Sequence, residues 1–546
     1  MAEEKRSTLK RAGKAVCFIL FGILLAAMIQ PVFVPKMNIP RGPLRGFYGL
    51  EENTADILFL GSSRVQNGID PMKLYCDTQI TSYNLGSPVQ VMPVSCFLLK
   101  EALKSQSPSV VIIESGELLW DGQAELSVKY VMDAMPLSNN KVEFAKWYDK
   151  VNEQDKSGSN FLGSIFPLFA YHGRWNELSS VDFSRVYASK DFTKGQYVLS
   201  HTVPLDTTIQ IMNANAEALQ DDDAVVIEYP DSGREETRYQ HIRYDISIPQ
   251  LSLEWLKKIQ QLCEDNGCRL LVVGIPAILY PQDFNRASTF VRYEMLSHVL
   301  NEMGIPFIDT LYDLNAGFDL NTDFVDGGHH LNELGAQKLM DALEPILRDM
   351  MPEKELYPRE SYEECVAYYK KAIEAVNLES EGSFSDYITF LRDNREKYII
   401  LMAAADDMRN GLSGEDMALL ASLGLSCDFE NDMKSRDSFL CVIDSGNVRH
   451  EAVSNRKIEW SYAAESGKRF YVSSAGWFNG SAASITVDGA QYALSSRGLN
   501  IVVFDKESGM VIDSVTFDTC AEVHACTRNA NLIESLFYAY IAELGM

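Results

Sequence analysis

The sequence predicts a doubly wound α/β domain followed by a strand-rich module. Three observations carry that prediction. Apolar and β-branched runs of strand length alternate with stretches of helical periodicity between residues 54 and 350, as expected for strands buried on both faces of a parallel sheet. The alternation breaks off at about 123–240 and then resumes, which marks an insertion within one domain. From about residue 385 the texture changes to short strands separated by turns such as Asp444-Ser445-Gly446 and Asp488-Gly489.

Taken in order, Ile57–Leu60 reads as the first buried strand, and Tyr83-Asn84-Leu85-Gly86 ends a second. Residues 94–105 have helical periodicity, and 110–114 form a third, continuous strand. After the insertion come a helix over 251–266 closed by Gly267, a strand over 269–275 and a helix over 290–303. A strand over 306–310 and a helix over 334–350 complete the domain. Open α/β sheets bind ligands at the carboxyl ends of their strands, and the insertion is expected over that edge. Residues 351–384 read as a charged helical connector. In the module at 385–546, strands are expected at 398–405, 438–443, 469–474, 483–487, 499–505 and 511–517, with a short helix at 417–423.

The chain of 546 residues has a net charge of -27, which excludes phosphate-backbone recognition, so no nucleic acid is expected as a partner. The sign reverses near the start. A basic tail at 1–14, carrying Lys5, Arg6, Lys10, Arg11 and Lys14, precedes an apolar run that makes 15–36 a candidate transmembrane anchor. Positive flanks stay cytoplasmic, so the rest of the chain is expected outside the cell membrane as a single-pass protein. A cleaved signal peptide is the alternative, and it gives the same side. The Pro- and Gly-containing segment 37–53 reads as a stalk. Among the ten cysteines, Cys427 with Cys441, or Cys520 with Cys526, are candidate disulfides.

Two distant segments supply the chemistry of one site. Gly61-Ser62-Ser63-Arg64 turns a strand into a helix, and Asp326-Gly327-Gly328-His329-His330-Leu331-Asn332 is a polar turn before the last helix. A nucleophilic serine needs a base, and the base needs a carboxylate to orient it. Ser63, His330 and Asp326 are the candidates. His329 is a second candidate base, Asp323 a second carboxylate, and a Ser-His dyad a third arrangement. A metal site from His329, His330 and Asp326 is also possible on residue type.

These segments resemble the first and last blocks of the SGNH (GDSL-like) hydrolase superfamily, with Ser62 where the usual Asp stands. His330-Leu331-Asn332-x-x-Gly335-Ala336 looks like the last block of the D-alanyl-lipoteichoic acid and alginate O-acetylation relatives. The resemblance implies a flavodoxin-like three-layer domain with Ser63 as nucleophile, His330 as base, and backbone N–H groups of Ser63 and Gly86 as the oxyanion hole. The third block, Gly-x-Asn-Asp, is missing; Glu114-Ser115-Gly116-Glu117 stands there. Arg64, Tyr171, His172, Arg174 and Trp175 are candidate substrate contacts, the last four in a segment typical of anchored SGNH-like proteins. A carbohydrate substrate is expected of them because aromatic rings stack on sugars.

In the module, Tyr398–Asp406 with Asp407, Arg436-Asp437-Ser438-Phe439, and Arg497-Gly498-Leu499-Asn500 with the following strand resemble the interleukin-like EMT inducer domain, shared with the stem of the protein O-mannose N-acetylglucosaminyltransferase. That resemblance implies a β-sandwich-like, sugar-binding module. Together the two resemblances imply an esterase or O-acyltransferase acting on O-acetyl or D-alanyl esters of cell-envelope glycan or teichoic-type polymer. A membrane O-acyltransferase is the implied partner, and no cofactor is implied. The alternative is a non-catalytic scaffold with a lectin module.

Overall fold

The computed structural model describes residues 44–119, 125–154, 161–178, 180–183, 191–199, 224–229, 234–239, 248–277, 286–310, 316–319, 322–326, 328–351, 359–380 and 383–528, with scattered positions between 14 and 34. They divide into two compact units, Met1–Cys365 and Val366–Gly545. Among the described residues no helix is long and apolar enough to cross a membrane. Most of the expected anchor at 15–36 lies outside them.

The first unit is built on a five-stranded parallel sheet of β1 (Ile57–Leu60), β2 (Ser82–Asn84), β3 (Val110–Glu114), β4 (Arg269–Gly274) and β5 (Phe307–Asp309), in the order β2-β1-β3-β4-β5. That order is the flavodoxin-like doubly wound arrangement, whose switch point lies between β1 and β3. Alternate residues of each central strand enter two cores. Leu58, Leu60, Val111, Ile113 and Val272 face one. Ile57, Phe59, Val110, Ile112 and Val273 face the other. Helices α3 (Met92–Ala102) and α4 (Gln250–Asn266) cover the first face. Helices α1 (Ser63–Gly68), α2 (Pro71–Thr78) and α5 (Glu333–Met350) cover the second. This reproduces the expected three layers.

The structure departs from the sequence reading at several places. The expected stalk is not all free chain. Leu44 and Phe47 are buried in the first core, where the Phe47 ring meets Tyr83 edge-on at 5.3 Å. The insertion is largely helical in its first half, with Glu125–Ala134 and Asn139–Gln154 sending Val128, Val131, Met132 and Phe144 into the same core. Its residues 224–229 and 234–239 form a hairpin, and 191–199 run beside β2, where Asn84 donates its N–H to Lys194 O at 2.9 Å.

In the second unit, β6 (Tyr398–Asp406), β7 (Ser438–Asp444), β8 (Asn447–Ser454), β9 (Ile458–Ala463), β10 (Arg469–Gly476), β11 (Ala482–Val487), β12 (Ala490–Gln491), β13 (Gly498–Asp505), β14 (Met510–Phe517) and β15 (Cys526–Arg528) form one ten-stranded sheet. Strands β10 and β6 pair only at Ala475–Ala405 and Gly476–Asp406, so the sheet folds over at that corner. The fold encloses Leu401, Val442, Val472, Ile485 and Val502 in one core. On the opposite face, Phe384–Asn394 and Gly414–Ala421 pack over Ile400, Met402 and Ile501. This is the expected strand-rich module, made from one continuous sheet. Strands β8 and β9 were not legible because their residues are mostly half-exposed. The rings of His450, Trp460, Tyr462 and Phe470 stack across β8, β9 and β10 at 4.6, 5.6 and 6.0 Å. Neither candidate disulfide is formed: Cys427, Cys441 and Cys520 are not bridged.

Candidate active site

The nucleophile turn follows β1. Gly61 is needed there, because a Cβ would lie 2.1 Å from the Val65 side chain and 2.8 Å from that of Glu114. Ser62 is the N-cap of α1, its hydroxyl accepting from Arg64 N at 3.3 Å. Ser63 is thereby the first residue of the helix, where a backbone N–H has no intrahelical acceptor. The far end of α1 is fixed by Asn84, the fully buried last residue of β2. Its amide donates to Val65 O at 2.7 Å and Ile69 O at 2.9 Å.

The base sits on a closed loop. Phe324 and Leu331 form an isolated antiparallel bridge, Val325 N donates to His330 O at 3.0 Å, and Asn332 N to Asp323 O at 3.0 Å. Asn332 caps α5, accepting from Gly335 N at 3.0 Å. A Cβ on Gly335 would come within 2.4 Å of Asp323 O. The Leu-Asn-x-x-Gly pattern is therefore the mechanical support of His330.

These supports bring the candidates together. Ser63 Oγ lies 2.7 Å from His330 Nε2, and His330 Nδ1 lies 2.6 Å from Asp326 Oδ2. The other Asp326 oxygen accepts the N–H groups of His329 and His330, each at 2.9 Å. Burial pushes the Asp326 carboxyl up, but the hydrogen bond from His330, the charge of that ring and the backbone bond outweigh it and hold it below the usual carboxylate range. A charged Asp326 selects the tautomer with the proton on Nδ1, leaving Nε2 as acceptor toward Ser63. Asp323 is occupied elsewhere: buried, it accepts from Lys338 Nζ at 2.6 Å and Asp319 N at 2.7 Å. His330 spends both ring nitrogens on Asp326 and Ser63, which leaves neither for a metal in this arrangement.

Glu114, which the sequence reading passed over, closes the turn. Its Oε2 accepts Ser62 N–H at 2.7 Å, and its Oε1 lies 3.9 Å from Arg64 Nη1. Its position at the carboxyl end of the strand beside β1 was the available signal. Behind it, Ser87, Gln90, Ser95 and Glu117 form a buried hydrogen-bonded chain. Burial pushes Glu117 up to about 8, with a further rise from the charge of Glu114 against the opposing bonds from Ser95 and Gln90.

The other expected residues are placed differently. Gly86 lies against α1, a Cβ there being 2.6 Å from Gln66 N, and its own N–H is donated to Asn84 Oδ1 at 2.9 Å. It is therefore engaged, whereas Ser63 N–H has no protein acceptor among the described residues. Arg64 stands next to the triad. Tyr171, His172 and Arg174 make local contacts in the insertion: Tyr171 Oη donates to Asp133 at 2.5 Å, His172 Nδ1 is 3.0 Å from Phe169 O, and Arg174 pairs with Asp182 at 3.2 Å. Trp175 is exposed.

No family model and no curated protein matches the chain. Among solved structures, it is similar to a "putative acylhydrolase" from Bacteroides fragilis NCTC 9343, with 10% identity and a TM-score of 0.27, covering 58% of this chain and 98% of that one. A GDSL-like lipase from Bacteroides thetaiotaomicron VPI-5482 is similar at 8% identity and a TM-score of 0.25, covering 54% of this chain and 88% of that one. The functional reading rests on the site itself.

Proposed function

We propose that the chain is a serine esterase or O-acyltransferase of the SGNH (GDSL-like) type. The observation that carries the reading is the continuous hydrogen-bonded series Ser63 Oγ, His330 Nε2, His330 Nδ1 and Asp326 Oδ2 at 2.7 and 2.6 Å. In the forward step His330 takes the Ser63 proton as Oγ adds to an ester carbonyl carbon. Asp326 stabilises the imidazolium by its charge. Ser63 N–H is the backbone donor available to the oxyanion, and the Arg64 guanidinium is the nearby cation. His330 then gives its proton to the departing alkoxide, leaving acyl-Ser63. An incoming hydroxyl, deprotonated by His330, attacks the acyl carbon, and the Ser63–acyl bond breaks as Oγ regains a proton. Water as acceptor makes the chain an esterase, and a sugar hydroxyl makes it a transferase.

The substrate we propose is an O-acetyl or D-alanyl ester of a cell-envelope polymer, reached outside the membrane from an anchor at 15–36. Support comes from the basic tail, the apolar run and the motif of the last block. A membrane O-acyltransferase is the proposed partner, and the strand-rich module the proposed glycan-binding part. Reaction of the intact chain with a fluorophosphonate tests the chemistry. Labelling is expected in the wild type and absent in Ser63→Ala and His330→Ala. Labelling that survives Ser63→Ala would place the nucleophile elsewhere. A folded chain that does not label at all favours the scaffold reading, which the engaged Gly86 N–H and the missing third block support.

A further inference from the structure

The insertion carries an apolar surface with no use in the chemistry above. Leu162, Phe166, Phe169, Trp175 and Phe183 are 57%, 37%, 61%, 72% and 66% exposed. Large side chains this exposed, gathered within 22 residues of chain, differ from the scattered single apolar residues of an ordinary surface. The short helices Phe161–Ile165 and Pro167–Tyr171 and the 3-10 turns after them present these side chains. Residues 161–176 contain no Asp or Glu, although the chain has 76 acidic residues among 546, and the exposed Glu177 that follows them lies 3.7 Å from Arg174. The surface also adjoins the apolar N-terminal run. Arg174 Nη1 donates to Phe33 O at 2.7 Å, and Val34 is buried. Two polar groups of the same segment pair within the insertion, Arg174 with Asp182 and Tyr171 with Asp133.

We infer that this surface beds into the outer leaflet of the lipid bilayer beside the point where the apolar run meets the domain. Bedding would hold the catalytic unit against the membrane. The inference rests on the proposed extracytoplasmic anchor. Continuity with the run selects lipid as the occupant: a segment whose Phe33 carbonyl is clamped by Arg174 brings the bilayer to within reach of Phe169 and Trp175. Indole and phenyl rings favour the level of the headgroups and first methylenes. Of the two carboxylates between Leu162 and Phe183, Asp182 is buried against Arg174 and the exposed Glu177 lies 3.7 Å from the same guanidinium, which reduces the repulsion an acidic surface would meet at an anionic leaflet.

The test uses the full chain in phosphatidylcholine–phosphatidylglycerol liposomes, with Trp175→Phe as the reference that isolates the Trp175 emission. Trp175 is largely exposed, so this variant should keep its fold. The inference expects lipids brominated near the headgroup to quench more than about half of that emission, and Phe166→Ser/Phe169→Ser/Phe183→Ser to abolish the quenching. Carbonate-resistant flotation with Trp175 unquenched by lipid would overturn the inference and leave the anchor standing, whether water or protein then covers the ring. Quenching in a chain that carbonate extracts would uphold the surface and remove the anchor. A chain that does not float would overturn both.

Discussion

Replacing Asp326 by Asn probes the site with least change of shape. Among the described contacts, Asp326 accepts the N–H groups of His329 and His330 on Oδ1 and His330 Nδ1 on Oδ2. An asparagine has one acceptor oxygen and one amide nitrogen to place. Turning the nitrogen to the backbone side would set it against two N–H donors, so the oxygen stays there and the NH2 group faces Nδ1. The ring then becomes the Nε2–H tautomer, and the atom 2.7 Å from Ser63 Oγ changes from acceptor to donor. Ser63 keeps its position and loses its base. In serine hydrolases generally this loss is about 10⁴-fold in rate, or about 5.5 kcal/mol at 1.36 kcal/mol per decade.

Stability should change much less. The lost bond is to a half-exposed carboxylate, and about 1 kcal/mol is the expected cost. The assays are acetyl-ester turnover and fluorophosphonate labelling rate, beside thermal unfolding. Because Asp326 is held below the usual carboxylate range, it stays charged through the working range, and a fall of activity toward mild acid does not report its protonation. An Asn variant within tenfold of the wild type, with an unchanged Tm, would refute the tautomer argument and leave a dyad.

The support around the triad gives further expectations. Glu114→Ala strips the acceptor from Ser62 N–H and the counter-charge from Arg64, and should cost about 1–3 kcal/mol in unfolding free energy with slower labelling of Ser63. Glu114→Gln keeps the acceptor and should lose less than half as much; equal loss would mean that charge alone matters. Glu117 tests the buried chain behind the turn. Its folded pKa of about 8 lies above the ordinary 4.5, so the folded state holds a proton that the unfolded state releases between those values. Stability therefore falls as pH rises through that window, by up to about 1.4 kcal/mol per unit. Glu117→Gln should flatten the slope of urea midpoints between pH 5 and 8. Some slope remains, because burial and the nearby Asp70 also raise Glu333. An unchanged slope would remove Glu117 from the account.

The sheet was legible because its strands are apolar on both faces. Leu58, Leu60, Ile57 and Phe59 leave no polar face to confuse the period. The closeness of Ser63 and His330 was legible because they sit in short patterns whose other members have mechanical roles, such as Asn332 capping α5 and Gly335 giving way to Asp323 O. The choice between Asp326 and Asp323 was not legible. It depends on Lys338, which sits fifteen residues beyond Asp323, in the second turn of α5, and occupies that carboxylate. The engagement of Gly86 was hidden for a similar reason: its acceptor is the side chain of Asn84, which the sequence presents as part of the same oxyanion motif. Glu114 was missed because a carboxylate at the end of an apolar strand looks like the strand's polar stop. Its partners, Ser62 and Arg64, are fifty residues earlier in sequence and one strand away in space.

The missing third block, like the engaged Gly86 N–H, leaves the proposed chemistry short of an oxyanion donor, and Arg64 is the residue that bears on it. In the block that is absent, a side-chain amide would reach the oxyanion from beyond β3. Here the short helix Gly116–Leu119 follows β3, and a Cβ on Gly116 would stand 3.5 Å from Arg64 Nη1. The guanidinium thus occupies that side of the site from the helix that carries Ser63, steadied by Glu114 Oε1 at 3.9 Å and still 27% exposed. A donor there would act on the developing negative charge, and single oxyanion donors are worth about 10²–10³ in rate. Arg64→Met should therefore lower the acylation rate by about that factor while KM changes little. The weakly exposed ion pair it breaks should cost under about 1 kcal/mol of stability. Arg64→Lys should recover part of the rate, because a point charge remains without the fork. If acylation by Arg64→Met matches the wild type, the guanidinium is only a tie to Glu114, and Ser63 N–H must hold the oxyanion without it.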